Sequence, residues 1–321
     1  MAEPFDRASG IGGSDIACIL GIDPFRSEWD LWLEKSHDPA WQPQEQTPPM
    51  LLGTLMEPVV AQLYEMNTGR RVQLHPNDDR TVWHPNGIMY AHIDGYAYGD
   101  PEGTGVFESK VPRSGKDWAA GVPMYYETQA RSYRLITGAP WIDVAALFRD
   151  NAEFQVFRLY ADQAKDEAIV ARVEDWWERR IVRGEAPPMD GSDGASRYLA
   201  KRHYGPTSDE ILPVGADLQS AVDAFISTKA LISRYEGNQA ALRNQIIDAM
   251  GEYAYANGDG WRIIFKRSKG FAKIKWEEVA KAYRRILEES LDRSVLDAIV
   301  ATYTEETSGS RPLLIKEDSA K

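Results

Sequence analysis

The side chains best placed to do chemistry are Asp94, at the end of the apolar run Met89-Tyr90-Ala91-His92-Ile93, and Glu108 and Lys110 in Val106-Phe107-Glu108-Ser109-Lys110. Residues two apart on a strand share a face, so Glu108 and Lys110 are expected to point the same way. If the two strands pair, Asp94 comes opposite Glu108. Two carboxylates at that range repel unless something cationic stands between them. Such oxygen donors suit Mg2+ or Mn2+, with water completing the shell. A lysine beside them can orient a hydroxide or offset charge on a phosphoryl transition state. Any one of these carboxylates read alone is as readily a solvated surface group. The ordered set, Asp then Glu-x-Lys after apolar strands, is the more specific signal.

The elements that must position them can be read in turn. Ser14 stands where a short apolar helix begins, over residues 16–20, and its hydroxyl is expected to cap it; Gly21 ends it. Ser27 and Asp30 form a capping box for a second helix that buries Trp29, Trp32 and Leu33. Residues 50–67 carry helical spacing at Leu51, Leu55, Val59, Leu63 and Met66, with Pro58 inside, expected to kink the helix and free the Thr54 carbonyl. Residues 72–74, 88–98 and 106–110 read as strands, 122–137 as a helix, and 142–148 and 154–159 as further strands. Asp162 caps a helix reaching Val182, with Ile169, Val173, Trp176, Trp177 and Ile181 on one face. That order predicts an α/β (α+β) core, a mixed central sheet flanked by helices, over residues 1–210. Residues 211–321 read as a mostly helical extension. It opens on a long amphipathic helix over 213–250 (Leu218, Val222, Phe225, Leu231, Ile232, Tyr235, Leu242, Ile246). A β-hairpin around Asn257-Gly258-Asp259-Gly260 follows, then helices to about Thr302.

Composition narrows the classes. The 321 residues carry 37 Lys+Arg against 49 Asp+Glu, a net charge of −12. A uniformly basic nucleic-acid binder is excluded; DNA would have to be met by a local basic surface, a metal or a multimeric channel. One cysteine, Cys18, excludes internal disulfides and Cys-ligated zinc or iron–sulfur sites, and it reads as a small buried hydrophobe. No run approaches the roughly 20 apolar residues of a membrane helix, and the N-terminus is not a signal peptide, so a soluble cytoplasmic protein is expected.

Asp94 with Glu108-Ser109-Lys110 resembles the core motif of the PD-(D/E)xK nucleases. Gly12-Gly13-Ser14-Asp15-Ile16-Ala17 with Leu20-Gly21 resembles the N-terminal motif of one branch, the phage-type alkaline exonucleases of the lambda-exonuclease and YqaJ recombinase group. Gly53-Thr54-Leu55-Met56-Glu57-Pro58 is similar to that group's G-x-x-x-E-P helix. Tyr126-Glu127-Thr128-Gln129-Ala130, with Tyr133 and Thr137-Gly138, resembles its Q-x-x-x-Y helix, and Arg311-Pro312-Leu313-Leu314-Ile315-Lys316 its tail pattern. The motifs span about residues 7–190, roughly 60% of the chain. Each is weak alone; the ordered set is strong.

The resemblance implies a restriction-endonuclease-like core in which Asp94 and Glu108 bind metal, with the Ser109 carbonyl as a third ligand and Glu57 facing them from across the cleft as a further donor. Lys110 would position the attacking water, and Gln129 would lie near the scissile bond. Ser14, at a glycine-rich helix start, and Arg7 would hold a terminal 5′-phosphate, in keeping with the anion affinity of helix N-termini. The implied activity is a Mg2+-dependent, 5′-to-3′ exodeoxyribonuclease on linear duplex DNA, using two ions that Mn2+ can replace. It would leave 3′ tails for a single-strand annealing recombinase. The implied assembly is a ring-shaped homotrimer, in a bacterial host or encoded by a prophage. The alternatives are a PD-(D/E)xK endonuclease and a non-catalytic DNA-end-binding or assembly protein on the same fold. His92, next to Asp94, is expected on the opposite strand face in a structural role, and Trp176-Trp177 in the core or at a subunit contact. The basic run from Lys266 to Lys275 reads either as a solvated hairpin edge or as a DNA-backbone contact.

Overall fold

Local hydrogen bonds between side chain and backbone set the first elements of the computed structural model, which describes residues 5–43, 45–75, 81–203, 205, 210–267, 275–290 and 292–302. Asp6 caps a 3-10 turn at Arg7–Ser9 by accepting from the Ala8 N–H at 2.9 Å. Strand β1 (Ile11–Gly12) leads into a second 3-10 turn, Gly13–Asp15, and the short helix α1 (Ile16–Ile19). Ser14 does not cap that helix, contrary to expectation: it is exposed in the turn, and no side chain caps α1. Asp15, a stronger acceptor, folds back instead and takes the Gly12 N–H at 3.0 Å. Helix α2 (Glu28–Lys35) does open on the expected box, Ser27 and Asp30 exchanging bonds of 3.1 Å each way. Helix α3 (Pro48–Thr68) starts on prolines, runs through Pro58 and ends at Gly69 with φ 71°.

Strands β2 (Arg71–Leu74), β3 (Val82–Trp83), β4 (Met89–Ala91), β5 (Gly95–Tyr98) and β6 (Gly105–Lys110) follow. After helix α4 (Met124–Thr137) come β7 (Trp141–Leu147), β8 (Phe154–Tyr160) and helix α5 (Gln163–Trp177), which continues to Val182 as a π-turn. The central sheet is mixed, in the order β2-β5-β6-β7-β8, with β6 and β7 parallel and the other pairs antiparallel. A parallel pair needs a long crossover, and α4 lies within it. One face of the sheet, with Val106, Ile142, Val144 and Ala146, joins the core built by α1, α2, α4 and α5; the other, with Ala97, Phe107, Trp141 and Ala145, packs on α3. The α/β class and the mixed, helix-flanked sheet are as the sequence predicts.

The differences are informative. The single strand read over 88–98 is two strands in two sheets: β4 pairs with β1 and β3, β5 with β2 and β6. His92-Ile93-Asp94 is the break between them, and Asp94 stands just before β5, its carbonyl accepting from the His75 N–H at 2.9 Å. Helix α3 buries Val60, Ala61 and Tyr64, and not the stripe of Leu51, Leu55, Val59 and Met66; Met66 is 83% exposed. With apolar residues on most of its circumference, α3 is oriented by its large aromatic residue and not by its commonest ones. Helix α6 (Asp193–Arg202), capped by Ser192, was not anticipated.

The chain divides into two compact units, Met1–Thr207 and Ser208–Lys321. The second holds helix α7 (Ala216–Met250), a hairpin of β9 (Tyr255–Gly258) and β10 (Trp261–Ile264), and helices α8 (Trp276–Ser290) and α9 (Arg293–Thr302). The apolar stripe of α7 is not covered within this unit: Leu218, Phe225, Leu231, Ile232, Tyr235, Leu242 and Ile246 are all exposed, and Met250 alone is buried on that helix. Among the described residues no helix is long and apolar enough to cross a membrane. Residues 268–274 of the basic run and the tail motif from Arg311 lie outside the described residues.

Candidate active site

Strand register builds the carboxylate pair. Gly95 stands opposite Phe107 in the antiparallel β5/β6 pair, so one step back places Asp94 opposite Glu108. Asp94 Oδ2 accepts from the backbone N–H of Ser109 at 2.8 Å. Glu108 and Lys110 do share a face, and the Lys110 ammonium donates to Glu108 Oε1 at 2.5 Å. The ammonium also lies 5.0 Å from the centre of the Tyr126 ring on α4. Glu57, from α3, completes the group: Asp94 and Lys110 both act on its carboxyl.

The electrostatics follow from three carboxyls, one ammonium and little water. Burial and then Asp94 push Glu108 up to about 8, against the pull of Lys110. Burial and then Asp94 push Glu57 up to about 7. Asp94 is raised too, by burial, although Lys110 and the Ser109 N–H oppose the shift. Burial would lower the Lys110 ammonium, but Glu108 and Asp94 outweigh it and hold the proton on. Each carboxyl is therefore short of positive charge, and the buried Glu108 Oε2 has no hydrogen-bond partner among the described residues.

That deficit is what a hard cation would supply, and Mg2+ commonly binds through one or two carboxylates while keeping several waters. Asp94 and Glu108 make such a two-carboxylate set. Among the described residues no three His, Cys, Asp or Glu side chains come close enough to hold a metal between them, so Glu57 does not close a three-carboxylate cage.

Helix α4 forms the adjacent wall. Gln129 donates from Nε2 to the Tyr133 hydroxyl at 3.0 Å, and Tyr133, 6% exposed, feels the charges of Glu108, Asp94 and Asp15. Tyr133 thus stands between the carboxylate group and a second charged cluster at the N-terminal turn. A β-carbon on Gly13 would come within 2.4 Å of the Tyr133 ring, so the turn can seat against α4 only with glycine there.

At the centre of the second cluster is Asp15, fully buried. Its carboxylate meets the Lys35 ammonium at 2.7 Å, the Arg26 guanidinium at 3.1 Å and Arg7 at 3.6 Å. Burial opposes the charge, but Lys35, Arg26 and Arg7 together hold Asp15 below the usual carboxylate range. Glu34 bonds Arg26 at 2.5 Å and reaches Arg7 at 3.4 Å. Arg7 remains half exposed and borders a cleft of about 660 Å³ shared with Arg26, Arg197, Phe25 and Trp41. Sequence reasoning missed Arg26, Glu34 and Lys35; the one signal was the charged pair Glu34-Lys35 closing a helix that is apolar on several sides. His92 is held by Thr81 Oγ1 at 2.8 Å and by the rings of Phe5 and Tyr90, away from the carboxylates.

Residues 5–140 match the YqaJ-like viral recombinase domain, and this stretch contains Arg7, Ser14, Glu57, Asp94, Glu108, Ser109, Lys110 and Gln129. Over those residues the match agrees with the resemblance drawn from the motifs. Over 296 residues the chain is 24% identical to YqaJ of Bacillus subtilis (strain 168), an uncharacterized protein, covering 89% of this chain and 90% of that one. Among solved structures, the alkaline exonuclease LHK-Exo of Laribacter hongkongensis aligns at a TM-score of 0.45 and 22% identity, over 55% of this chain and 90% of its own. A phage related exonuclease from Haemophilus somnus 129PT aligns at 0.40 and 11%, over 55% and 96%.

Proposed function

We propose that this chain, whose residues 5–140 match the YqaJ-like viral recombinase domain, is a Mg2+-dependent exodeoxyribonuclease that degrades one strand of linear duplex DNA from a 5′ end. The observation that carries the reading is the approach of half-buried Asp94 to buried Glu108, one step beyond the last paired rung of β5 and β6, with Lys110 bonded to Glu108 and both carboxyls raised by burial. Asp94 and Glu108 would hold Mg2+, or Mn2+ in its place, with the Ser109 carbonyl and water completing the shell, and Glu57 would serve as a further donor toward a second ion. The bound metal would supply Lewis-acid polarisation of the scissile phosphate and a more acidic water.

The protein's own groups do the rest. Lys110, kept charged by two carboxylates, holds the attacking water in line and offsets charge gathering on the phosphoryl oxygens. Gln129, fixed by Tyr133, offers its amide toward the strand. Arg7, half exposed and already oriented by Glu34 and Asp15, takes the terminal 5′-phosphate beside Ser14. The product would be duplex with 3′ single-stranded tails, the form a single-strand annealing recombinase uses.

Cleavage of linear 5′-phosphorylated duplex and of covalently closed circles, each in Mg2+ and in EDTA, tests the reading. Degradation of the linear form alone, abolished by EDTA, is expected. Cutting of circles would make the protein an endonuclease, and binding of ends without cleavage in either metal would make it an end-binding protein.

A further inference from the structure

Glu57 comes to the site from a different layer than its partners. Glu108 and Lys110 lie on the sheet face that meets α4, through Tyr126 and Tyr133, whereas α3 packs on the opposite face. How near Glu57 stands to Asp94 therefore depends on where α3 sits along its own axis. The apolar contacts of α3 do little to fix that position, because two of its three buried residues, Val60 and Ala61, are small. Small side chains leave shallow ridges, so polar ties carry more of the registration, and Glu65, near the C-terminal end of α3, accepts from the Val72 N–H of β2 at 2.7 Å.

The third buried residue is directional. The hydroxyl of Tyr64, fully buried, donates to Asp143 Oδ2 at 2.6 Å. Asp143 is itself locked, accepting from Arg158 Nε at 2.8 Å and from its second nitrogen at 2.9 Å. Arg158 stacks 3.7 Å from the centre of the Trp141 ring and bonds Asp100 at 2.9 Å. Asp100 also takes Arg70, just beyond the end of α3, at 2.7 Å. The Tyr64 ring meets Phe107 edge-on at 5.2 Å, and Phe107 is the register partner of Asp143 and the residue before Glu108. One side chain of α3 is thus fastened to both strands at the rung next to the carboxylate. Tyr64 lies seven residues from Glu57 on the same side of the helix, about 10.5 Å along the axis at 1.5 Å per residue.

We propose that the Tyr64–Asp143 hydrogen bond is the latch that sets the position of α3 and so presents Glu57 to the carboxylate site, making Tyr64 a positioning residue for the reaction. The proposal rests on the nuclease reading above and adds a residue the chemistry does not touch. A second observation supports a built device: the Asp143–Arg158–Asp100 chain spends buried charges on holding one hydroxyl's acceptor in place, where an apolar contact would serve mere cohesion.

The test is a double-mutant cycle between Tyr64→Phe and Glu57→Gln, read by cleavage rate against Mg2+ concentration and, independently, by calorimetric titration with Mn2+. Tyr64→Phe keeps the ring and its packing, so the melting temperature should fall by only a few degrees. Its half-saturating Mg2+ and its Mn2+ dissociation constant should each rise about tenfold, the scale on which outer supports of a metal site act. In the Glu57→Gln background the same change should cost less than twofold, because the group being positioned is gone. Equal losses in both backgrounds, or unchanged values in Tyr64→Phe, would overturn the latch. If the wild type cleaves nothing, the nuclease reading fails separately, and the Mn2+ titrations alone decide the latch by the same criteria. If Tyr64→Phe does not fold, Asp143→Asn takes its place in the same cycle, with the same pattern expected.

Discussion

Glu57 is a carboxyl held above its ordinary value of 4.5, at about 7, by burial and the charge of Asp94. A group of this kind binds its proton more tightly in the fold than in the unfolded chain. Folding stability should therefore fall as pH rises from about 4.5 through about 7, and the penalty is complete above that. Glu57→Gln removes the penalty. In EDTA, the variant's melting temperature should exceed that of wild type by a margin that opens between pH 5 and 8, and Mg2+ should narrow it. A margin independent of pH would show that Glu57 is not strained by its neighbours. Asp94→Ala should lose cleavage by at least about a hundredfold while the protein stays folded, as expected when a charge-stabilising group is removed from a phosphoryl site. Arg7 makes a separate claim. Because Glu34 and Asp15 orient a half-exposed guanidinium without enclosing it, Arg7→Ala should erase most of the preference for 5′-phosphorylated over dephosphorylated ends. Steady-state rates on the two substrates measure this, and an undiminished preference would reject the clamp. Asp94, Glu108 and Lys110 were legible because strand alternation and one antiparallel pairing determine their geometry. Arg26, Glu34 and Lys35 were not, because their partner Asp15 belongs to another element and only tertiary packing joins them.

At the scale of elements, what could be read was what depends on neighbours in the chain. The Ser27–Asp30 box, the helix cap at Asp162 and the strands β6 and β7 follow from residues a few positions apart. What could not be read was which of several options the core selects. The run from Ile88 to Tyr98 is apolar enough for one strand, but β4 and β5 serve different sheets, and the change of sheet falls just before Asp94. In α3 the commoner apolar stripe lost to Tyr64 because a ring and a hydroxyl together found partners in Phe107 and Asp143. The Gly13 turn shows the same dependence on packing and can be tested directly. A β-carbon there would stand 2.4 Å from the Tyr133 ring and 2.5 Å from Ser132 Oγ. Both residues are buried on α4, so neither can swing away freely. Gly13→Ala should destabilise the protein by about 1–3 kcal/mol, the usual cost of an overpacked contact. Because Tyr133 carries Gln129, it should also lower cleavage. Denaturant titration and rate on one preparation measure both; an unchanged midpoint would mean that the turn is looser than its contacts imply.

At the scale of the whole molecule, the proposed function must reconcile a net charge of −12 with duplex DNA. Acids and bases nearly balance in the C-terminal unit, so the acidic excess lies in the unit that holds the carboxylate site. A single chain presenting its average surface would repel the duplex, and binding requires a concentrated positive region, a bound metal, or several subunits pooling one face around a channel. The exposed stripe of α7 adds an independent reason to expect association, since apolar residues at that density rarely stay in water. The chain is expected to sediment as a closed oligomer of three without DNA, and a strictly monomeric species across micromolar concentrations would rule out the ring. Lys266 and Arg267 follow the hairpin, exposed, with the Lys266 ammonium 4.8 Å from the centre of the Tyr255 ring. If they reach the phosphate backbone together with Lys269, which lies outside the described residues, each lost contact removes roughly 0.9 from the slope of log affinity against log salt. Neutralising all three should weaken DNA binding and flatten that slope for any DNA sequence, while Mn2+ titration of the carboxylate site stays as in wild type. A slope equal to that of the wild type would return the hairpin to a solvated edge protected by lysines, and the positive face would have to be sought around Arg7, Arg26 and Arg197.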